Sequence, residues 1–365
     1  MIVIANKAVN TRLGFPHTSA TNPTYIEDGH ELDIVAKVYG ETLEGNNEWY
    51  QTIIDEYYWS GGFHTTPEAL ALPVTQQSTL FDEWRITDFW KKGITGKNTK
   101  VAIIDMGFNP KNNAVAHLFG QHNSTQMQFP DTGHGTYMSS IIGGNDAKNG
   151  FLGIAPEAEI VIKELNITSN SFRMSALMDL LETLHDFDVI SMSFAFTGGL
   201  NDTANTITRF NSITNELVTN GKTICIAAAG NEALTAIKYY PAAYNQVNAV
   251  AGTDATDNIL AGLSNIWPGV QLVAPYRGYF DKVDADRFGK YFNTNKINGT
   301  SSATAFTAGI IALIKSYHNQ RNLPFTNKDL QDKYLTQTSV HRPDRPDSPF
   351  QSNTINKEMF FSLLK

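Results

Sequence analysis

Between residues 101 and 318 short apolar runs alternate with helical patterns, and this alternation limits the folds open to the chain. Apolar runs lie near 101–105, 159–163, 188–194, 223–229 and 247–251, and helical patterns near 134–143, 172–185, 205–219 and 301–318. Runs too short for helices, each followed by a helix-length crossover, predict an α/β fold: a parallel sheet with helices on both faces. In an open sheet of that kind ligands bind beyond the carboxyl ends of the strands. The residues at the exits of the apolar runs are therefore the first to inspect.

Those exits carry chemistry. Val101-Ala-Ile-Ile-Asp105 ends in a carboxylate and is followed by Met106-Gly107. Asp131-Thr-Gly-His-Gly-Thr136 places His134 at the start of an apolar helix. Thr223-Ile-Cys-Ile-Ala-Ala-Ala-Gly-Asn231 is a buried strand that delivers an amide at its exit. Asn298-Gly-Thr-Ser-Ser-Ala-Thr-Ala-Phe-Thr-Ala-Gly309 puts Ser301 where a glycine turn enters a helix, at its donor-rich positive end. A serine hydroxyl becomes a nucleophile only with a base to take its proton and donors to hold the developing oxyanion. Taken singly, a turn Asp, a Gly-His-Gly loop and a capping Asn are commonplace. Their joint occurrence, each at a strand exit or helix start, is not.

In this order the residues resemble the subtilase family of serine proteases, and the likeness runs from about Thr79 to Lys365. Trp90-Lys-Lys-Gly-Ile-Thr-Gly-Lys97 looks like the family's lead into its first catalytic strand. Gly153-Ile-Ala-Pro156, Asp188-Val-Ile-Ser-Met-Ser193, Tyr240-Pro-Ala242 and Leu272-Val-Ala-Pro275 are further matches. The resemblance implies Ser301 as nucleophile, His134 as general base and then acid, and Asp105 as the group that fixes the imidazole tautomer. It implies an oxyanion hole made by the Asn231 side chain and the Ser301 backbone N–H, and a protein or peptide substrate cleaved by an endopeptidase. Two other readings use the same groove: a catalytically silent relative that binds extended peptides, and a ligase or cyclase that passes the acyl-enzyme to an amine. The intact set of four residues argues against the first; sequence hardly separates the second from hydrolysis.

Some positions depart from the family pattern. Met106 stands where Ser or Thr is usual, which removes a hydroxyl that would support Asp105. Ser302 replaces a common Met, Ala305 a common Pro, and Tyr137 a frequent His. For substrate binding, Ser193-Phe194-Ala195 aligns with the edge that pairs with an extended peptide by β-addition, with Gly230 close to the same groove. Tyr239 falls where the family often has Gly or Ser at the base of the primary specificity pocket. A ring there predicts a preference for small residues before the scissile bond; the alternative is that the short loop Glu232–Lys238 carries Tyr239 out of the pocket. Phe172 is either a subsite residue or plain core.

Residues 1–63 read as a small all-β module, 64–77 as a linker with Pro67 and Pro73, and 78–365 as the peptidase domain. Asn10-Thr-Arg-Leu-Gly14, the Asp28-Gly29 turn, Glu48-Trp-Tyr50 and Trp59-Ser-Gly-Gly-Phe63 look like a bacterial Src-homology-3-like barrel. Such a module implies a ligand or regulator of its own, bound in a groove that Trp49, Tyr57, Tyr58 and Trp59 would line unless they are core. An inhibitory prodomain is the competing reading, and no matching pattern supports it.

A net charge of −8 without a basic stripe argues against nucleic acid as partner. No apolar run is long enough to span a bilayer. The opening Met-Ile-Val-Ile-Ala lacks the basic flank and length of a signal peptide, which favours a cytoplasmic location over secretion. The lone Cys225 cannot form an internal disulfide and reads as a buried small hydrophobe. The nine histidines are scattered without metal-ligand spacing, so no metal or other cofactor is required. For a structural calcium, Asn145-Asp-Ala-Lys-Asn-Gly150 puts Ala147 and Lys148 where oxygen ligands are wanted. Asp254 and Asp257 could hold one weakly. Asp281-Lys-Val-Asp-Ala-Asp-Arg287 reads as a solvated loop near the groove.

Overall fold

The computed structural model describes residues 2–21, 24–28, 31–34, 36–52, 56–64, 79–108, 112, 114–118, 133–146, 151–165, 174–197, 204–219, 222–253, 263–276, 299–342 and 345–365. Two compact units divide the chain, one formed by Met1–Thr75 with Thr87–Gly93 and Asp146–Phe151, the other by the remaining segments.

The larger unit is built on a six-stranded sheet. Its strands are β1 (Lys100–Asp105), β2 (Glu159–Glu164), β3 (Val189–Met192), β4 (Ile224–Ala228), β5 (Val247–Thr253) and β6 (Leu272–Pro275). The order is β2-β1-β3-β4-β5-β6, and every pairing is parallel. These strands are almost wholly apolar because a parallel sheet is covered on both faces. The predicted parallel α/β sheet is thus present. Leu272–Pro275, read from sequence only as a family match, is its sixth strand.

Four helices cover the sheet: α1 (His134–Gly143), α2 (Met174–Leu181), α3 (Ala204–Thr219) and α4 (Thr300–Gln320). Strand periodicity assigns the faces. Ala102 and Ile104 of β1 share a core with Leu177 and Leu181 of α2 and with Phe210, Ile213 and Leu217 of α3. Val101, Ile103 and Asp105 therefore face the other side, where α1 packs on α4 and α4 crosses β3, β4, β5 and β6. Ser302 to Ser316 of α4 are all buried, as expected of a helix that, Lys315 apart, is made of small and apolar residues on every side. Ile310, Ile311, Leu313 and Ile314 are fully buried, each worth about 1.5–3 kcal/mol. Among the described residues no helix is long and apolar enough to cross a membrane.

A hairpin of β7 (Leu335–Arg342) and β8 (Arg345–Ile355) follows α4. It was not legible in the sequence, because its apolar positions, Leu335, Val340, Phe350 and Ile355, are too widely spaced to give an alternation. Ser352 Oγ donates to the Val270 carbonyl and Asn353 Nδ2 to that of Gln271, which fixes the hairpin beside β6.

The described strands of residues 2–64 form separate small sheets. Ile2–Ala5 lies between Glu31–Asp33 and Phe63–His64. A four-stranded sheet orders Arg12–Leu13, Glu56–Trp59, Asn46–Gln51 and Ala36–Leu43. The described pairings do not include a closed barrel. Of the aromatics expected to line a groove, Trp49 and Tyr58 are buried, Tyr58 within the core of Val3, Val9, Tyr50 and Phe63. Tyr57 and Trp59 are half-buried. Residues 65–78, most of the expected linker, lie outside the described residues, as does Gly29 of the Asp28-Gly29 turn.

Candidate active site

The order β2-β1-β3 reverses the direction of connection at β1, and open α/β sheets bind their ligands at such a switch point, beyond the carboxyl ends of β1 and β3. Asp105 ends β1, and Ser193 follows the last residue of β3. Asn231 lies just past β4, and Ser301 sits in the first turn of α4. The exits named from sequence are therefore neighbours in space.

His134 is positioned by the junction of α1 with the loop after β1. Gly133, with φ 62°, turns the chain into α1, and the Gly135 and Thr136 N–H groups donate to the Met106 and Gly107 carbonyls at 2.7 and 3.3 Å. A Cβ on Gly135 would lie 2.5 Å from the Phe108 ring, so any larger residue would force that buried ring to shift. The result is a contact of 2.7 Å between His134 Nδ1 and Asp105 Oδ1. Asp105 is fully buried, while the His134 side chain is 36% exposed. Burial disfavours the imidazolium, but the charge of Asp105 and its hydrogen bond outweigh that and hold the His134 pKa above its ordinary value. Asp105 Oδ1 also accepts from the Met106 N–H at 2.7 Å, whereas buried Oδ2 has no partner among the described residues.

Ser301 and Ser193 are joined reciprocally. Ser301 Oγ donates to the Ser193 carbonyl at 2.7 Å, and Ser193 Oγ donates to the Ser301 carbonyl at 3.2 Å. The hydroxyl thus lies on a strand-end carbonyl rather than on His134, the partner expected from sequence. Nucleophile–base bonds are often incomplete before substrate binds.

Asn231 is held from the residue before Ser301. Its Oδ1 accepts from Thr300 N at 2.8 Å and from Thr300 Oγ1 at 3.1 Å. A backbone N–H can only donate, so the amide oxygen is fixed on Thr300 and Nδ2 is left as a donor. Thr300 Oγ1 also accepts from the Gly230 N–H at 3.2 Å. Neither Asn231 Nδ2 nor the Ser301 N–H, in a first helical turn that has no intrahelical acceptor, has a partner among the described residues. The arrangement offers a half-buried base paired with a carboxylate, a hydroxyl at a helix start, and two uncommitted donors beside it.

The profile of the subtilase family, peptidase S8, matches residues 96–357. The chain belongs to the subtilase family. It is 32% identical over 248 residues to the major intracellular serine protease of Bacillus subtilis (strain 168), covering 64% of this subtilase and 73% of that protein. It is 31% identical over 270 residues to the minor extracellular protease Epr of the same strain, covering 71% of the chain but spanning only 38% of Epr. Among solved structures, the prenylagaramide maturation protease PagA superimposes with a TM-score of 0.58 at 20% identity, over 77% of this chain and 98% of that one.

Other residues named for this subtilase's groove fall as follows. Tyr239 is 5% exposed, and its Cδ1 lies 3.0 Å from where a Cβ on Gly230 would stand, so the ring is packed against the strand exit that carries Asn231. Burial and then the Glu232 carboxylate keep its phenol above the ordinary pKa. Tyr239-Tyr240 pairs antiparallel with Phe196-Thr197. The Phe194 side chain belongs to the core beside α2 and α3, which leaves its backbone for any contact with substrate. Ala195 is half-buried, and Phe172 lies outside the described residues. So do Ala147, Lys148, Asp254, Asp257 and the 281–287 segment. Cys225 is fully buried on the α2/α3 face, and burial pushes its thiol up to about 12.

Sequence reasoning did not single out Thr300, Glu232 or Asn265. Thr300 carried a usable signal, since it immediately precedes Ser301. Asn265 carried none, because it reaches the site only through the fold.

Proposed function

We propose that this subtilase is a serine endopeptidase acting through Asp105, His134 and Ser301. The 2.7 Å contact of His134 with buried Asp105 supports this reading above all others. It fixes the proton on Nδ1 and leaves Nε2 as the base for the Ser301 hydroxyl. Ser301 attacks the scissile carbonyl, His134 takes its proton and returns it to the leaving amine, and water then resolves the acyl-enzyme. Asn231 Nδ2 and the Ser301 N–H receive the oxyanion. The loss of one such donor costs ~10²–10³ in turnover, a range set by subtilases themselves rather than derived from this geometry. An extended substrate pairing its N–H with the Ser193 carbonyl would displace Ser301 Oγ and release it toward His134.

Tyr239 packed against Gly230 supports a shallow primary pocket and small residues before the scissile bond. We assign the N-terminal unit to targeting or restraint, on the exposed apolar side chains Leu13, Phe15 and Tyr25.

Fluorophosphonate labelling, with hydrolysis of a denatured protein substrate, tests the reading. Wild type is expected to label and cleave, and Ser301→Ala to do neither. Labelling that survives in Ser301→Ala would overturn the assignment of the nucleophile. Labelling without hydrolysis, together with amine-dependent peptide joining, would replace hydrolysis by acyl transfer.

A further inference from the structure

Asn231 is carried by a segment without a strand or helix ladder. Its backbone has left-handed φ values at Gly230 (102°) and Ala233 (58°). Such a segment needs other bonds to hold its shape; Leu263, Ile266 and Arg342 each supply one, at Ala233 and Leu234, and one fully buried side chain supplies four more. Asn265 Oδ1 accepts from the Glu232 N–H at 3.0 Å and from the Leu234 N–H at 2.8 Å. Its Nδ2 donates to the Ala229 carbonyl at 3.1 Å and to Glu232 Oε2 at 2.8 Å. Its own backbone N–H donates to the Gly230 carbonyl at 2.9 Å. All four bonding positions of the amide are thus spent on residues either side of Asn231. Glu232 Oε2 passes the constraint on, accepting from the Asn231 N–H at 2.8 Å. The approach is so close that a Cβ on Gly230 would lie 2.2 Å from Asn265 Nδ2.

Asn231 is therefore held twice, its side chain by Thr300 and its backbone by Glu232 and Asn265. We propose that Asn265 is a positioning residue for the Asn231 amide, acting through Glu232 to fix the donor that meets the oxyanion. This rests on the endopeptidase reading above. Asn265 has no contact with substrate in this role. Its demand is for two acceptor and two donor positions in one planar group, which only a primary amide of this length meets. Asp offers acceptors alone, losing the bonds to Ala229 and Glu232 and opposing a second carboxylate to Glu232.

The test is a double-mutant cycle in the full chain, reading kcat and KM on a chromogenic peptide amide for Asn265→Asp, Asn231→Ala and the pair. Asn265→Asp is expected to lower kcat by roughly 10–100-fold with KM within about twofold, and to lower it little further once Asn231 is Ala. Glu232→Ala, an exposed site, is expected to show a smaller loss with the same dependence on Asn231, and it serves where Asn265→Asp does not fold. An equal fold-loss in both backgrounds would make Asn265 a structural residue only and overturn the proposal. The parent reading fails separately: Ser301→Ala would keep activity, or Asn231→Ala would leave kcat unchanged.

Discussion

The imidazole of His134 and the carboxylate of Asp105 meet at 2.7 Å, with the carboxylate fully buried and the imidazole partly exposed. This pair sets the expected pH dependence. Asp105 holds the imidazolium, so the His134 pKa lies above 6.5, and the neutral base is lost as pH falls through that raised value. kcat/KM should therefore rise with pH through an apparent pKa above 6.5. The contribution of the pair to stability runs the other way: it is complete below 6.5 and fades as pH rises through the folded-state value. Asp105→Asn is expected to lower kcat by ~10⁴ near neutrality by stabilising the wrong tautomer. A pH–rate profile of both proteins checks this, and an unchanged rate in Asp105→Asn would remove Asp105 from the mechanism.

Tyr239 fills space against Gly230 that a smaller residue would leave open. Tyr239→Gly is expected to move the preference before the scissile bond from small residues toward Phe and Leu, changing the ratio of kcat/KM values by roughly 10–100-fold. Peptide-library profiling reads it directly. A wild-type profile already dominated by Phe or Leu would place the ring outside the pocket.

Asp105 Oδ2 has no partner among the described residues, and Met106 beside it carries no hydroxyl. Met106→Ser offers a hydroxyl at the adjacent position and is expected to raise kcat several-fold. It also removes a buried side chain, at a cost of about 2 kcal/mol in urea denaturation. A fall in kcat together with stability would show that Met106 supports the carboxylate by packing.

Lys315 buries an ammonium within α4, where Nζ donates to the Lys222 and Phe325 carbonyls at 2.7 and 2.9 Å and lies 3.6 Å from Asp188. Burial lowers its pKa despite the nearby carboxylate. Lys315→Met would leave both carbonyls unsatisfied, and a loss of about 3 kcal/mol is expected. Chemical denaturation measures it; a neutral outcome would mean that water replaces the ammonium.

The sequence by itself determined the parallel α/β fold and named Asp105, His134, Asn231 and Ser301, because each lies at a strand exit or helix start, where local pattern is strong. The two faces of β1 were not separable in its continuous apolar run; the core that Ala102 and Ile104 share with α2 and α3 assigned them. Only the tertiary structure decided what depends on distant partners. It laid the Ser301 hydroxyl on the Ser193 carbonyl and buried Phe194 in the core. It also set Tyr239 against Gly230 and brought Asn265 to Glu232 across 33 residues of chain. The division has a physical cause. Periodicity records which face of an element is dry, whereas a hydrogen bond between side chains far apart in sequence leaves no trace until the fold closes the loop between them.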